Sequence, residues 1–172
     1  ECTTMLQNAA EYLERSAARV PDKIAFSDAS GAVSYSRMLH DAQALGTVLA
    51  AVPGCCNAPV AVMIGRTVKS LISMQGVLQS GNYYVPLDEQ MPEARMRRIL
   101  DQVHARAIVC TEQSRAAAEK LADCAPLILL DEAVTHAPDP ALLHARREEI
   151  LDIDPVYVLF TSGSTGAPKG IV

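Results

Sequence analysis

The sequence predicts an α/β fold in which helices flank a mostly parallel β-sheet. Short apolar runs without polar alternation, such as VAVMIG at 60–65 and AIVC at 107–110, are typical of strands covered on both faces. Stretches with helical spacing of apolar residues lie between these runs. Because strands and helices alternate along the chain, a parallel sheet with helices packed against it is favoured.

The first part of the chain predicts two helices and one strand. The stretches QNAAEYLERSAAR at 7–19 and YSRMLHDAQALGTVLA at 35–50 carry apolar residues at helical intervals. In the second stretch, the residues that share one face are Tyr35, Met38, Leu39, Ala42, Leu45 and Leu49. The run at 60–65, which a glycine closes, then follows as a buried strand.

The middle of the chain predicts two further helices with a strand between them. Residues 67–79 return to helical spacing, and Gly81 stands where a glycine commonly ends a helix. The stretch YYVPLD at 83–88 is expected to be a strand that is cut by Pro86. A helix over 92–103 should follow, with Pro92 in its first turn.

The last part of the chain predicts three more strands. The runs AIVC at 107–110, PLILL at 126–130 and VYVLF at 156–160 are almost continuously apolar, which indicates strands buried on both faces. A short helix between prolines is expected within 136–155, where it leads the chain back into the sheet.

Composition excludes several classes of protein. The chain has 172 residues, of which 49% are hydrophobic, and a formal net charge of −5. This charge gives no general attraction to nucleic acid or to an anionic membrane. No apolar run approaches the roughly 18 residues of a membrane span, and the first residues do not resemble a signal peptide. We therefore expect a cytoplasmic location, without a nucleic-acid or membrane partner.

The cysteines indicate a reducing environment and no metal site. There are five of them, with no CxxC spacing and no histidine close enough to complete a ligand pattern. Reduced thiols in a cytosolic protein explain this set. The first residue is Glu rather than Met, so we also expect the chain to come from a longer protein.

The segment TSGSTGAPKG at 161–170 has the composition of an anion-binding loop. Its three glycines allow positive φ and a close approach of backbone N–H groups to a ligand. Threonine and serine hydroxyls add hydrogen-bond donors, Lys169 adds one positive charge, and no acidic residue lies within the segment. These groups suit phosphate oxygens.

The segment is not a Walker A loop. That pattern places a glycine directly before the lysine and Ser or Thr directly after it, at the start of a helix. Here Pro168 precedes Lys169, and Gly170 follows it at what looks like the start of another strand. A flexible Gly/Ser turn between two strands is the simplest alternative, and the Pro-Lys-Gly ending argues against it.

The segment resembles the phosphate-loop signature of the adenylate-forming enzymes, which include acyl-CoA synthetases, luciferases and the adenylation domains of nonribosomal peptide synthetases. Two upstream blocks, at 33–50 and 77–100, resemble the first two core motifs of that superfamily in the same order. The YVPLD core at 84–88 favours the peptide-synthetase branch. The departures are mild: Gln79 replaces the usual Lys, Ser80 the usual Ala and Tyr83 a small residue.

The resemblance implies a fold, a reaction and a set of ligands. The chain would form part of the large N-terminal subdomain, so residues 1–172 are expected to be an incomplete adenylation domain that is inactive alone. Such domains use ATP and Mg²⁺ to convert a carboxylic acid, commonly an amino acid, into an acyl adenylate with release of pyrophosphate. The positions carried over as phosphate-binding residues are Thr161, Ser162, Gly163, Ser164, Thr165, Gly166 and Lys169.

The resemblance also implies partners, while several alternatives stay open. The acyl group would pass to the phosphopantetheine thiol of a carrier protein, and the remainder of the adenylation domain and an MbtH-like protein are further expected partners. The catalytic residues and the acidic metal ligand would lie beyond residue 172. The alternatives are an acyl- or aryl-CoA ligase of the same superfamily and a non-catalytic, adenylation-like module that binds a partner. The end at Val172 fits a fragment, an interruption at a mobile loop or a naturally split enzyme.

Other charged residues are interpreted as surface or turn residues. Asp152 and Asp154 resemble a catalytic pair, but they stand just before Pro155, where turn formation explains them. Arg95, Arg97 and Arg98 lie opposite the apolar residues of the 92–103 helix, and a solvated face accounts for them. The remaining charged residues that we interpret in this way are His40, His104, His136, His144, Arg146, Arg147, Glu148 and Glu149.

Overall fold

The computed structural model describes residues 8–162 and 168–171 of the chain. The helices are α1 (Ala10–Arg19), α2 (Tyr35–Ala50), α3 (Val68–Gln79), α4 (Glu93–Val103), α5 (Arg115–Glu119), α6 (Leu130–Ala133) and α7 (Pro140–Arg147). The strands are β1 (Ile24–Asp28), β2 (Gly31–Ser34), β3 (Pro59–Ile64), β4 (Tyr83–Asp88), β5 (Ala107–Cys110), β6 (Leu127–Leu129), β7 (Leu159–Ser162) and β8 (Pro168–Ile171).

The centre of the fold is a four-stranded sheet in the order β4-β3-β5-β6. All neighbouring strands are parallel, with Val60 opposite both Tyr84 and Ala107 and with Val109 opposite Ile128. Each parallel connection contains a helix, as is usual for the crossover between two parallel strands. The predicted α/β class with a mostly parallel sheet is therefore confirmed.

Both faces of this sheet are covered by helices. On one face, Leu45 and Leu49 of α2, Ile72 of α3 and Leu130 of α6 pack against Val60 and its neighbours. On the other face, α4 and α5 pack against a second cluster of strand residues, and the buried side chains of this layer are Met96, Ile99, Leu100, Ala118 and Leu121. Because β3 and β5 are covered on both sides, their apolar runs show no alternation.

Helix α3 begins and ends as the sequence indicates. The side chain of Thr67 accepts a hydrogen bond from the backbone N–H of Ser70, which satisfies a free donor of the first turn. Gly81 follows the helix with φ +73°, a conformation that glycine adopts without strain. A Cβ on Gly76 would lie 2.5 Å from Leu45 Cδ2, so this glycine allows α2 and α3 to approach closely.

Two expectations about prolines were wrong in detail. Strand β4 continues through Pro86 instead of being cut there. Tyr84 N donates to Val156 O, and Tyr84 O accepts from Val158 N, both on the side away from β3. Because alternate residues of a strand bond to the same side, Pro86 lacks its N–H where β3 needs none. Pro92 is the N-cap of α4 and therefore lies just before its first turn.

The expected buried strand at 156–160 was also wrong. Val158 is buried, but Val156, Tyr157 and Leu159 are 38%, 42% and 46% exposed. This run joins β4 through an isolated bridge between Tyr84 and Tyr157, and the strand proper, β7, begins at Leu159 and pairs with β8. The run is apolar, but within the described residues nothing covers its outer face.

Two peripheral hairpins complete the described fold. Strands β1 and β2 pair antiparallel beside α2 and α3, a hairpin that the sequence pattern did not indicate. Strands β7 and β8 form the second antiparallel hairpin. Among residues 8–162 and 168–171, no helix is both long and apolar enough to cross a membrane.

Candidate phosphate-binding site

The candidate site lies where the β7–β8 hairpin extends the parallel sheet. Tyr84 N donates a hydrogen bond to Val156 O at 3.2 Å, and Val158 N donates to Tyr84 O at 3.0 Å. These bonds orient the chain parallel to β4 as it approaches β7. The end of β7 consequently lies at the edge of the sheet where the carboxyl ends of the parallel strands are found. Ligands of open α/β sheets commonly bind at that edge.

The hairpin brings two of the predicted phosphate-binding residues together. Thr161 of β7 stands directly opposite Lys169 of β8, and Ser162 stands opposite Pro168. Opposed residues of an antiparallel pair have side chains on the same face, with Cβ atoms about 5 Å apart. Thr161 and Lys169 are both exposed, and the Lys169 side chain makes no hydrogen bond or ion pair with a described residue.

The remaining predicted residues of the loop are only partly placed. The structure gives the backbone position of Ser162 in β7. Gly163, Ser164, Thr165 and Gly166 lie outside the described residues, so their assignment as phosphate-binding residues stays a prediction. The sequence-based expectation that a strand begins near Gly170 is confirmed, because β8 spans Pro168–Ile171.

Gly170 has a packing role in the hairpin. A Cβ at this position would lie 3.2 Å from Phe160 Cζ and 3.3 Å from Val158 Cγ1. Phe160 and Val158 pack against the α4 layer, next to Met96 and Leu100. The absence of a side chain at Gly170 therefore allows the backbone of β8 to pack closely against Val158 and Phe160.

The adjacent tyrosines of β4 pack on opposite faces of the sheet. Tyr83 packs against the α4 layer and Tyr84 against the α2 layer, as expected for neighbours that alternate faces. The rings of Tyr84 and Tyr157 lie with centroids 5.7 Å apart. Burial raises the pKa of both Tyr83 and Tyr84. Both groups are therefore neutral phenols.

Asp28 is a structural anion at the same edge of the sheet, and sequence reasoning missed it. Its carboxylate accepts a 2.7 Å hydrogen bond from the backbone N–H of Val68, at the start of α3. Hydrogen bonds from the Ser30 side chain and the Val68 N–H lower the pKa of Asp28 to about 2. No local signal reveals this contact, because the two partners are 40 residues apart.

The structure places most of the residues that we interpreted as surface or turn residues in those positions. Asp154 accepts a hydrogen bond from Leu151 N at 2.8 Å within a turn. Arg97 forms ion pairs with Glu93 and Asp123 on the outside of the α4 layer. Arg147 is an exception, because its side chain is only 9% exposed and pairs with Glu14.

The described residues offer no ready metal site. Within 8–162 and 168–171, no three acidic, histidine or cysteine side chains are placed to hold an ion. By contrast, the free ammonium of Lys169 beside the Thr161 hydroxyl suits a phosphate group. The described part of the loop therefore fits the nucleotide phosphates that the resemblance implies, whereas Mg²⁺ stays an expectation.

Comparison with known proteins identifies related chains. Residues 13–172 match the family model described as AMP-binding enzyme. Pyochelin synthetase PchF of Pseudomonas aeruginosa is 35% identical over 95% of this chain, which spans 9% of that protein. A dimodular nonribosomal peptide synthase of Bacillus subtilis is 31% identical over 94% of this chain, which spans 7% of it.

A solved structure has the same fold. The benzoate CoA ligase of Burkholderia xenovorans superposes with a TM-score of 0.81 at 20% identity. The superposition covers 96% of this chain and 34% of that protein. At this level of identity, the likeness shows a shared fold.

Proposed function

The chain belongs to the AMP-binding enzyme family, and we propose that it is the N-terminal part of an adenylation domain that activates an amino acid. The product is an acyl adenylate, formed with release of pyrophosphate, and a carrier-protein thiol then accepts the acyl group. The observation that carries this proposal is the pairing of Thr161 with Lys169 at the base of the loop.

The residues of the hairpin have defined tasks in this proposal. ATP supplies the α-phosphorus that the substrate carboxylate attacks, with pyrophosphate as the leaving group. Lys169 and the hydroxyl of Thr161 hold the β- and γ-phosphates, and the loop N–H groups add further donors. Negative charge builds on the pyrophosphate leaving group in the transition state. A fixed cation at this position therefore lowers the activation barrier of adenylate formation as well as the dissociation constant of ATP.

Partners follow from the relatives and from the exposed surface. The family relatives include nonribosomal peptide synthases, which supports an amino acid substrate and a carrier protein. Leu159 and Ile171 present apolar side chains on the hairpin, and we assign their cover to the remainder of the adenylation domain. An MbtH-like protein and Mg²⁺ complete the proposed assembly.

A CoA ligase is the second candidate, which the fold shared with a benzoate CoA ligase favours. Both candidates form an acyl adenylate and use the same loop. They differ in the acceptor of the acyl group, which is coenzyme A in one case and a carrier-protein thiol in the other. Mass spectrometry of the acylated acceptor, after incubation of the longer protein with each, separates the two.

The decisive experiment is Lys169→Ala in the longer protein, assayed by ATP–pyrophosphate exchange over a titration of ATP. Loss of one charge-assisted contact of about 1.5–3 kcal/mol predicts a fall of roughly 10- to 100-fold in turnover and ATP affinity together. Lys169→Arg should recover only part of the activity, because a planar guanidinium does not replace a point charge. Amino acid affinity should hardly change.

Lys23→Ala is the matched control, because Lys23 is also exposed but lies before β1, far from the hairpin in sequence. It should exchange at the rate of the unchanged protein. Residues 1–172 alone should show no exchange. If Lys169→Ala exchanges normally while remaining folded, Lys169 is a surface residue and the assignment of the hairpin fails. Absence of exchange by the unchanged protein with every amino acid would favour a non-catalytic module.

A further inference from the structure

A second concave surface lies at the edge of the sheet opposite the end of β7. It is a cavity of about 310 Å³ that Asn57 and Asn82 border, directly before β3 and β4. These residues mark the amino ends of the parallel strands. A strand of six residues such as β3 is roughly 20 Å long. The cavity is therefore separated from the proposed nucleotide site by the length of the sheet.

The walls of the cavity come from elements that are firmly tied together. Arg147 Nη2 lies 2.7 Å from Glu14 Oε1, and Arg147 Nη1 also donates to the backbone oxygen of Gln79 at 3.3 Å. Gln79 Nε2 donates to Ala10 O at 3.3 Å. This partly buried network joins α1, α3 and α7, so the cavity has a firm base.

Two asparagine side chains that border the cavity, those of Asn8 and Asn82, already have partners within the chain. Asn82 Nδ2 donates to Cys55 O at 3.2 Å, and Asn82 Oδ1 accepts from Ala58 N at 3.1 Å. Asn8 Nδ2 donates to Glu11 Oε1 at 3.0 Å. A site for a small polar molecule needs convergent polar groups that are free to bind it. The amides of Asn8 and Asn82 are engaged, and the lining also includes Leu78, Ile150 and Val156, so the cavity favours an apolar group.

The mouth of the cavity continues into an exposed apolar surface with acidic charge. Tyr12, Leu151 and Ile153 are 64%, 60% and 83% exposed. Asp152 and Asp154 lie between and beside them, while the charge of Arg147 is balanced by Glu14. A surface of this kind is wider than a small ligand and complements a positively charged partner.

We infer that this surface, Tyr12 with residues 150–156, is a docking site for a polypeptide segment with an apolar side chain next to Lys or Arg. The apolar side chain fills the cavity, and the basic residue lies against Asp152 and Asp154. The segment belongs to the longer polypeptide, since the chain spans only 9% of pyochelin synthetase PchF. Only this assignment of the segment to a longer polypeptide rests on the proposed function.

Photo-cross-linking in the longer protein tests the inference. Tyr12→p-benzoylphenylalanine places the probe beside the cavity, and Ile153→p-benzoylphenylalanine is a second position if the first variant folds poorly. The matched control is Gln102→p-benzoylphenylalanine, an exposed position on α4 across the sheet. The expected result is an intramolecular cross-link, mapped by mass spectrometry to one segment outside residues 1–172 that contains an apolar residue beside Lys or Arg.

A charge reversal tests the acidic part of the surface. Asp152→Lys should lower the cross-linking yield about two- to fivefold, as loss of an exposed ion pair predicts. Asp101→Lys makes the same charge change on α4 and should leave the yield unchanged. The rate of ATP–pyrophosphate exchange should stay normal in all these variants, because the altered residues lie away from the loop.

Three outcomes would overturn the inference. They are a yield no higher than at position 102, a cross-link that maps to a second copy of the protein, and a small molecule retained in the cavity in native mass spectra. Each leaves pyrophosphate exchange intact. Failure of the proposed function would instead remove exchange from the unmodified protein, so the two failures are distinguishable.

Discussion

Strands β3 and β8 are both short, but their surroundings differ completely. Val60, Ala61 and Val62 of β3 are fully buried between two layers of helices. In β8, Lys169, Gly170 and Ile171 are all exposed, and β8 pairs with β7 alone. The centre of the sheet is therefore fully buried. The hairpin that bears the candidate site is largely exposed, and the hydrogen bonds of Tyr84 to residues 156 and 158 attach it to the sheet.

This difference is consistent with the binding function proposed for the hairpin. Apolar burial on both faces of the parallel sheet is the main source of stability. Phe160 of the hairpin adds to it by packing against the second cluster. A loop that must receive a nucleotide needs exposed groups and little packing of its own. The contact between Tyr84 and Tyr157 links the hairpin to the rigid parallel sheet.

The largest expected effect is the loss of a buried isoleucine from the sheet centre, compared with the same substitution in the hairpin. Ile108→Ala removes a fully buried side chain of β5 and should lower the free energy of unfolding by about 2–5 kcal/mol. Ile171→Ala in β8, where the side chain is 55% exposed, should change it by no more than about 0.5 kcal/mol. Urea denaturation of the purified chain measures both values. Equal effects would mean that the hairpin belongs to the core.

A smaller effect is expected where α2 and α3 touch. Gly76→Ala places a Cβ 2.9 Å from Leu45 Cβ, and should destabilise the fold by about 1–3 kcal/mol despite the better helix propensity of alanine. Gly65→Ala is the control, because its nearest neighbour, Glu89 Oε1, would lie at 3.5 Å. It should be nearly neutral in thermal and urea unfolding.

A double variant shows whether the contact between α2 and α3 is the cause. Combining Gly76→Ala with Leu45→Ala removes the closest contact, at 2.5 Å with Leu45 Cδ2, so the pair should destabilise less than the sum of the single changes. Strict additivity would mean that Gly76 is needed for another reason.

The smallest effect concerns the other hairpin, which a polar contact holds against the sheet layers. The pKa of Asp28 is lowered to about 2 in the folded protein, below the usual value of 3.8. The stabilisation from its ionised form is therefore complete above about pH 5 and is lost as pH falls from about 4 to 2. The stability difference between the unchanged chain and Asp28→Asn should shrink over that interval in urea titrations.

Ser30→Ala tests the cause of this pH dependence. Because the Ser30 hydroxyl contributes most to the lowered pKa, its removal should bring the loss of stability to a higher pH. A difference between the unchanged chain and Asp28→Asn that does not vary with pH would show that the carboxylate does not stabilise the fold through its charge.

Local sequence determined most of the scaffold and the composition of the candidate site. The helix predicted at 35–50 is α2 with the same bounds, and Thr67 and Gly81 flank α3 as their chemistry requires. These features depend on residues close together in the chain, where side-chain period and capping act. The glycines, hydroxyls and Lys169 of the loop were visible for the same reason.

The tertiary structure decided which apolar runs are covered and which distant groups meet. The run at 156–160 is as apolar as that of β5, but it lies outside β4, the edge strand, where no described layer covers its outer face. Pro86 is accepted because its missing N–H points away from β3. The pairing of Arg147 with Glu14 and of Asp28 with Val68 joins residues far apart in sequence, and only packing brings them together.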